Sequence, residues 1–377
     1  MRVRLSFPLL LVALLAAVVV GTLGCSQGAY HVSTPVSSEA PKNIILMIGD
    51  GMGMGQITAA RVRFGELNMQ RLHGGGIVTD FPTGSLVTDS AASGTALATG
   101  HKTVNGAISM SPSGDMFKTV LEHAEENGMS TGLVVSCSVT HATPAVFAAH
   151  VDDRGKDLEI AGQIAASGVD VLFGGGRAFF IPNTETGGAR VDGRNLLDLM
   201  RDRMAVALTA QEFRELPDEG PMACLYADQH PAPASWRNPA LPDLTEKALS
   251  VLSEDEDGFF MMVEGSQIDW ACHENDEDWL LDELEDFDKT VGVVMDFAER
   301  DGETLVVVTA DHETGAYAVL GGSLKRGEIE SYIFGSEHHS ANLIPILTYG
   351  PGSERLGGFL DNTDIGRTLI ELVSAPR

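Results

Sequence analysis

The sequence predicts an α/β protein in which a mostly parallel central sheet is sandwiched between helices. Short apolar runs of the kind that form strands buried on both faces recur along the chain, beginning with "KNIILMIGD", which ends at Asp50. Helical patterns lie between several of these runs, at residues 154–166, 277–299 and 363–373. Strands that alternate with helices favour a parallel sheet, because each connection places a helix over one face of the sheet.

The remaining predicted strands are spread over the rest of the chain, at residues 131–136, 169–176, 259–265, 304–312 and 343–350. The stretch from about 177 to 242 is less periodic and rich in Pro and Asn, so we expect it to run over the surface. No internal repeat is visible in the sequence. A hydrophobic content of 44% is enough for one domain of about 340 residues, or for one and a half.

The charge balance excludes some partners. The chain carries 25 basic and 53 acidic residues, for a formal net charge of −28, and it contains no basic patch. We expect no nucleic-acid recognition, because such an acidic protein repels nucleic acids and anionic membrane surfaces. A heavily solvated surface that favours solubility explains most of this charge. An anionic substrate would then need a local positive charge, which metal ions could supply.

The N-terminus is typical of an exported protein. Arg2 and Arg4 precede about twenty uncharged, mostly apolar residues, so we assign residues 1–24 to a signal peptide. The same stretch is also long enough to act as an uncleaved membrane anchor. It ends in "TLGC", as in a bacterial lipoprotein, although Thr22 replaces the usual leucine, and Cys25 would carry the lipid. Residues 25–41 are predicted to be a linker, and 42–377 the folded domain of a periplasmic or membrane-anchored protein.

Cysteine usage does not indicate a disulfide scaffold. The four cysteines are Cys25, Cys137, Cys224 and Cys272. If Cys25 is lipidated or removed, three remain, so at least one thiol is free or pairs between chains.

Acidic residues collect where the predicted strands end. Asp50, Glu264 and the Asp311–His312 pair each follow or close an apolar run. Ligands bind at the carboxyl ends of strands in open α/β sheets, so three such ends with potential metal ligands favour a site there. Adjacent side chains of a regular strand point to opposite faces, so Asp311 and His312 can share a site only from an irregular segment.

Two further histidine motifs add potential metal ligands. In "EGSQIDWACH", Asp269 and His273 are four residues apart, so a helical turn places them on one face. This spacing suits a metal ligand pair and equally suits an ion pair on a helix surface. The motif "SEHHSAN" offers His338 and His339. Histidines beside carboxylates at several strand ends favour a zinc protein.

The segment "TDSAASGTALATG", residues 88–100, allows two interpretations. Asp89 or Ser90 could simply cap a helix of small residues that packs tightly. Alternatively, Ser90 is a nucleophile presented at the first turn of that helix, near backbone N–H groups that attract an anion.

Six motifs together resemble those of bacterial alkaline phosphatases. They occur in family order over residues 42–350, and they are "GDGMG", "TDSAASGTALATG", "THATPAVFAAHVDDR", "EGSQIDWACH", "TADHETG" and "EHHSANLIPILTYGPG". The resemblance implies an alkaline-phosphatase-like α/β fold over residues 42–377. It also implies an enzyme that hydrolyses small phosphate monoesters through a phosphoserine intermediate, with two zinc ions and one magnesium ion, and that scavenges phosphate.

The resemblance assigns each role to a residue of this chain. Ser90 would be the nucleophile, and Arg154 would bind the phosphate oxygens. The first zinc would be held by Asp269, His273 and His339, the last chosen over His338 by its distance from "YGPG". The second zinc would be held by Asp311 and His312, with Asp50 bridging to magnesium, and Thr143 and Glu264 would complete the magnesium site. Without the family, Arg154 would be read as a surface arginine paired with Asp152 or Asp153.

The chain also departs from part of the family. His141 and Trp270 stand where some members have aspartate and lysine, whereas marine and cold-adapted members resemble this chain at both positions. Only 26 residues separate His312 from His339, so the crown insertion is expected to be reduced. A homodimer is expected by analogy with the family alone.

Other functions fit the sequence less well. A phosphodiesterase or a sulfatase of the same superfamily is one alternative. Sulfatases resemble one another in a Cys/Ser-x-Pro-x-Arg motif, but Ser90 is followed by Ala91, Ala92 and Ser93. A non-catalytic exported phosphate- or metal-binding protein is the other alternative, and it would need the same ligands but no nucleophile.

Overall fold

One ten-stranded sheet forms the centre of the protein, whose computed structural model describes residues 40–375. The strands in chain order are β1 Asn43–Gly49, β2 Gly74–Thr79, β3 Ser130–Ser138, β4 Val171–Gly175, β5 Ala205–Ala207, β6 Met222–Leu225, β7 Phe259–Gly265, β8 Thr304–Thr309, β9 Glu313–Thr314, β10 Ala318–Ser323, β11 Glu328–Ile333, β12 His339–Ser340, β13 Ile344–Tyr349 and β14 Gly358–Asp361. Strands β10 and β11 form one small sheet, β9 and β12 form another, and the other ten strands form the large sheet.

The strand order in the large sheet is β14-β2-β13-β8-β1-β7-β3-β4-β6-β5. Of these ten strands, β13 alone runs antiparallel to its neighbours, β2 and β8. All seven residues of β1 and of β7 are buried, as expected for central strands covered on both faces. The predicted mostly parallel α/β sheet is therefore confirmed.

Helices flank this sheet in two groups. The α-helices are α1 Met54–Phe64, α2 Ser90–Thr99, α3 Val120–Glu126, α4 Ala142–Ala148, α5 Asp157–Ala166, α6 Leu196–Arg201, α7 Ala210–Arg214, α8 Leu241–Leu252, α9 Gln267–His273, α10 Glu277–Asp301 and α11 Asn362–Val373. One group packs around α2, which contacts α4 and α11. The other packs around α10, which contacts α1, α8 and α9. Among the described residues no helix is both long and apolar enough to cross a membrane.

Helix α2 consists almost entirely of residues with small side chains. All ten of its residues are buried, and only Leu97 carries a large side chain. Asp89 caps its N-terminus by accepting a hydrogen bond from the backbone N–H of Ala92, and Gly100 ends it with φ 71°. The small residues allow α11 to approach closely. A Cβ added at Gly366 of α11 would lie 2.3 Å from the carbonyl oxygen of Ala96.

The stretch from about 177 to 242 differs from the sequence prediction. Part of it enters the sheet, because β6 is wholly buried and pairs with both β4 and β5. These strands have only four and three residues, too few to show a clear period. The segment between His312 and His339, where a reduced insertion was expected, forms the antiparallel hairpin β10–β11.

Candidate active site

Three parallel strands bring the predicted site residues to one edge of the sheet. Asp50 directly follows β1, and Glu264 is the penultimate residue of β7. The two strands are in register, with Ile48 opposite Glu264, and β8 pairs with the other side of β1. Their carboxyl ends therefore lie side by side, as the sequence predicted.

Asp311 and His312 face a common site from the irregular segment between β8 and β9. His312 Nε2 lies 3.2 Å from Asp311 Oδ2 and 3.4 Å from Asp50 Oδ1. All three side chains are fully buried. The prediction that this pair needs an irregular segment is confirmed, and Asp50, Asp311 and His312 form one group of potential metal ligands.

A second group forms on α9. His273 Nε2 lies 3.3 Å from Asp269 Oδ1, so the helical spacing does bring the two together. His339 Nε2 completes the group, 3.2 Å from His273 Nε2 and 3.6 Å from Asp269 Oδ1. His338 is exposed, so the structure favours His339 over His338 as the third member.

The histidine rings are oriented by partners on their other nitrogen. His273 Nδ1 donates to the carbonyl oxygen of Glu337 over 2.6 Å, and His339 Nδ1 donates to that of Thr88 over 2.8 Å. In the neutral form of each ring, Nε2 is then the nitrogen with the lone pair, and it faces the other members of the group. Such outer hydrogen bonds fix the tautomer that a metal ligand requires.

A third group lies between β7, β3 and α4. Cys137, His141 and Glu264 have ligand atoms within 4.8 Å of one another. Thr143, on the first turn of α4, is fully buried. Cys137 was not expected here, and its Sγ lies 3.4 Å from Glu264 Oε2. No local pattern could have indicated it, because 127 residues separate it from Glu264 in the chain.

Several buried oxygens in these groups lack hydrogen bonds of standard geometry within residues 40–375. They are both carboxylate oxygens of Asp50, Asp311 Oδ2, Glu264 Oε1 and Thr143 Oγ1. Buried polar atoms normally have a partner, because leaving one unpaired costs about 1 to 3 kcal/mol. Oxygen atoms without hydrogen-bond partners, clustered beside three histidines, fit divalent cations. Such cations bind deprotonated carboxylates and neutral imidazoles as ligands.

The pKa values reflect this crowding of acids. Burial raises the pKa of Asp50 well above its usual range, and the negative charge of Asp311 adds to the effect. Burial likewise raises the pKa of Glu264 to about 7 and, with the charge of Asp269, that of Asp311 to about 6. Without a cation the site therefore retains protons near neutral pH, and a cation would displace them.

Ser90 lies beside the first of these groups, that of Asp50, Asp311 and His312. It is the first residue of α2, buried, with its Oγ 3.2 Å from His312 Nε2. One turn further, Ser93 Oγ donates to the backbone carbonyl oxygen of Asp311 over 2.5 Å. Asp89 is the helix cap, so the capping and the nucleophile interpretations are compatible.

Arg154 lies on the same side of the site. Its Nη1 donates to Asp89 Oδ2 over 3.1 Å, and its Nη2 donates to His141 Nε2 over 3.1 Å. The alternative pairing with Asp152 or Asp153 is wrong, because Arg154 forms its ion pair with Asp89 and Asp152 pairs with Lys156. Asp89 lies 65 positions away in the chain, which is why spacing alone pointed to nearer acids.

Trp270 packs against two histidines at the rim. Its ring centroid lies 4.6 Å from that of His230 and 5.9 Å from that of His141. His230 was not predicted, since it lies in the aperiodic stretch before Pro231. Thr314 was also missed, and its hydroxyl links Asp269 Oδ1 with His312 Nδ1 across the two metal-ligand groups.

Comparison with known proteins agrees with this geometry. The chain matches the family described as alkaline phosphatase over residues 41–335. Alkaline phosphatase 4 of Bacillus subtilis is 30% identical, over 95% of this chain and 96% of its own length. Alkaline phosphatase of Escherichia coli is 32% identical, over 89% of this chain and 86% of its own length.

A solved structure gives the same result at the level of the fold. The alkaline phosphatase of the Antarctic bacterium TAB5 has a TM-score of 0.81 and 34% identity, over 90% of this chain and 99% of that one. A variant of that enzyme has been solved with magnesium bound in a site called M3. This chain belongs to the alkaline phosphatase family of metal-dependent phosphomonoester hydrolases.

Proposed function

We propose that Ser90 is the nucleophile of this enzyme and that hydrolysis passes through a phosphoserine. The observation that carries the proposal is the position of Ser90 Oγ, 3.2 Å from His312 Nε2 and at the N-terminus of α2. A helix N-terminus directs free N–H groups and a partial positive charge at an arriving phosphate. Without a nucleophile at this point, the same ligand groups would suit a binding protein only.

The metal assignment follows from the chemistry of each donor group. Asp269, His273 and His339 would hold one zinc, and Asp311 and His312 a second, because zinc is bound well by imidazole and carboxylate. Asp50 would bridge the second zinc to magnesium, whose preference for oxygen suits Thr143 and Glu264. When bound, the cations lower the pKa of a coordinated hydroxyl or water and neutralise charge on the leaving oxygen.

The chain's own residues account for the remaining steps. The Ser90 hydroxyl gives its proton to water and its oxygen attacks phosphorus, while the bond from phosphorus to the ester oxygen breaks and the alcohol oxygen takes up a proton from water. Water then attacks the phosphoserine, and inorganic phosphate leaves as the Ser90 oxygen regains a proton. Arg154, whose two terminal nitrogens already point to acceptors, can bind two phosphate oxygens at once.

The cellular context is proposed from the N-terminus and the family. Residues 1–24 would be a signal peptide, 25–41 a linker and 42–377 the catalytic domain. Export to the periplasm, with or without a lipid on Cys25, suits an enzyme that scavenges phosphate from small monoesters. The first 39 residues lie outside the described part of the chain. A homodimer is proposed by similarity to the family.

The test is steady-state hydrolysis of p-nitrophenyl phosphate and of bis-p-nitrophenyl phosphate by residues 26–377. We expect fast turnover of the monoester at alkaline pH, loss of turnover on chelation, and recovery when zinc and magnesium are returned. The Ser90→Ala variant should be inactive even when it is fully loaded with metal. Preference for the bis-ester would instead indicate a phosphodiesterase. A folded, metal-loaded protein without activity would indicate a binding protein.

A further inference from the structure

A cavity of about 650 Å³ opens beside the site at the end of α9. It is lined by Trp270, His273, Glu274, Asp276 and Trp279. Two tryptophans and two carboxylates therefore surround one candidate metal ligand. The cavity has no assigned role in the hydrolysis proposed above.

The position of the cavity relative to Ser90 gives it a role. Three histidine rings follow one another from Ser90 across the site. The first is His312, next to Ser90 Oγ, and the His339 ring stacks on it with 3.6 Å between the ring centroids. The third is His273, whose Nε2 lies 3.2 Å from His339 Nε2. His273 is thus the far end of the row. In a direct displacement the departing group leaves on the side opposite the nucleophile, which is the side of His273 and of the cavity.

The indole rings of Trp270 and Trp279 form an ordered aromatic surface of the cavity. Trp270 and Trp279 are both partly buried and pack against the core. Trp279 Nε1 donates to the buried carboxylate of Glu283 over 3.1 Å, and Trp270 packs in an edge contact on His230. Both rings are therefore held in place without a ligand. Indole faces attract organic cations more strongly than other aromatic side chains do.

Two exposed carboxylates line the cavity beside His273. The side chains of Glu274 and Asp276 are exposed, and neither forms an ion pair with a lysine or arginine within residues 40–375. Asp276 Oδ1 accepts a hydrogen bond from the backbone N–H of Trp279 and so caps α10. The two carboxylates attract an ester whose leaving group is cationic, and they give no such gain to an ester whose leaving group is neutral.

We propose that this cavity receives the leaving group and selects phosphate monoesters of organic cations, above all quaternary ammonium alcohols. The inference rests on the proposed hydrolysis at Ser90, and it adds the substrate class. Trp270 and Trp279 supply the aromatic surface, and Glu274 and Asp276 supply the opposite charge.

The test compares phosphocholine with 3,3-dimethylbutyl phosphate, which has the same shape but carbon in place of the charged nitrogen. We expect kcat/KM to favour phosphocholine by about tenfold. The Glu274→Gln/Asp276→Asn variant keeps an Asn cap on α10 and should lower that ratio several-fold. The Glu254→Gln/Glu256→Gln variant removes the same charge before β7, at the opposite edge of the sheet, and should keep the ratio. Differences in intrinsic reactivity between the two esters cancel, because they are the same in every variant.

A binding measurement separates this inference from the proposed function. Trp236 is 81% exposed, so a Trp236→Phe background leaves Trp270 and Trp279 as the fluorescent tryptophans of the chain. Choline should quench this fluorescence, and the Glu274→Gln/Asp276→Asn substitutions should weaken the binding. If choline binds but no ester is hydrolysed, the cavity assignment stands and the hydrolysis proposal fails. Equal kcat/KM for the two esters, or a ratio unchanged in the variant, would overturn the cavity assignment while p-nitrophenyl phosphate hydrolysis stands.

Discussion

Asp89 Oδ2 accepts a hydrogen bond from Arg154 Nη1 over 3.1 Å, while Asp89 Oδ1 accepts one from the backbone N–H of Ala92. One carboxylate thus caps the helix that begins at Ser90 and holds the arginine that would bind phosphate. The proposed nucleophile and the guanidinium are therefore both connected to one side chain. Any change that moves α2 also moves Arg154.

Replacing Arg154 by lysine should raise KM for p-nitrophenyl phosphate and lower kcat/KM by roughly ten- to a hundredfold. The charge is kept, but one of two hydrogen bonds to the phosphate oxygens is lost, which is worth about 1.5 to 3 kcal/mol for charged groups. Steady-state kinetics measure the effect. Arg71→Lys is the matched control, because Arg71 makes a bidentate pair with Glu299 elsewhere on the surface. An Arg154→Lys enzyme with unchanged kcat/KM would remove Arg154 from phosphate binding.

Ser90→Ala should abolish the covalent intermediate and leave the fold and metal content unchanged. Within residues 40–375 the hydrogen-bond partner of the Ser90 hydroxyl is His312, whose Nε2 also lies within 3.4 Å of Asp50 and Asp311 carboxylate oxygens. Turnover should fall at least about a thousandfold, as for other nucleophile deletions. Acid quenching of the wild-type enzyme with substrate, followed by intact mass measurement, should show one added phosphoryl group that the variant lacks. The exposed Ser113→Ala serves as control, and a phosphorylated Ser90→Ala protein would assign the nucleophile elsewhere.

Metal-free protein should lose stability as the pH rises from about 6.5 to 9. In the folded state burial raises the pKa of Glu264 to about 7, and the hydrogen bond with Asp269 raises that of His273 to about 9. Both folded-state values exceed the unfolded ones, so the folded protein holds protons that the unfolded chain has released, and stability falls through these pKa values. Burial lowers the pKa values of His141 and His312, which makes stability rise with pH. This opposite effect is confined to pH values below about 6.5, the pKa of an unfolded histidine.

Thermal unfolding in the presence of a chelator measures this effect. We expect Tm to fall by roughly 3 °C across that range, and zinc with magnesium to reverse the fall because cations replace the protons. A chelated protein whose Tm rises with pH between 6.5 and 9 would contradict the assignment of these side chains to a metal centre.

Trp270→Lys should tighten product inhibition by phosphate about fivefold. An ammonium group at this position would lie near His141, which accepts a hydrogen bond from Arg154, so it would attract a phosphate bound by Arg154 by about 1 kcal/mol. The inhibition constant of inorganic phosphate measures the effect. Trp236→Lys, at an exposed tryptophan, introduces the same charge and should leave the constant unchanged. Unaltered inhibition of the Trp270→Lys enzyme would show that Trp270 has no part in product release.

Gly366→Ala should destabilise the protein by about 1 to 3 kcal/mol. The new Cβ would lie 2.3 Å from the carbonyl oxygen of Ala96 and 2.5 Å from the backbone nitrogen of Gly100, so α11 must move away from α2. Gly162→Ala in α5 is the control, because its Cβ meets nothing within 4 Å, and it should be neutral or stabilising. Urea unfolding of the two variants compares them. Equal stabilities would show that the close packing of α2 and α11 contributes nothing.

The parts of the site that sequence reasoning could predict are local. The pairing of Asp269 with His273 follows from helical spacing, and Asp50, Glu264 and Asp311 were recognised because each closes or follows an apolar strand. Parallel neighbouring strands then bring such ends together without further information. The strands β2 and β6 were missed for physical reasons. The first begins with three glycines, which have low strand propensity, and the second has only four residues.

The parts that could not be predicted depend on contacts between distant segments. Arg154 pairs with Asp89 rather than with its neighbours Asp152 or Asp153, and nothing in the sequence ranks those acids. The approach of His230 to Trp270 and of Cys137 to Glu264 likewise depends on how the sheet and its helices pack. A local pattern carries no information about such pairs until the fold places them.

The proposed metal ligands come from segments that are far apart along the chain. On the proposed assignment the first metal ligand along the chain is Asp50 and the last is His339. A nascent or truncated chain can offer some of these side chains but cannot enclose all the cations. Complete metal binding therefore requires the chain through residue 339, and added zinc should fail to rescue chains that end before it.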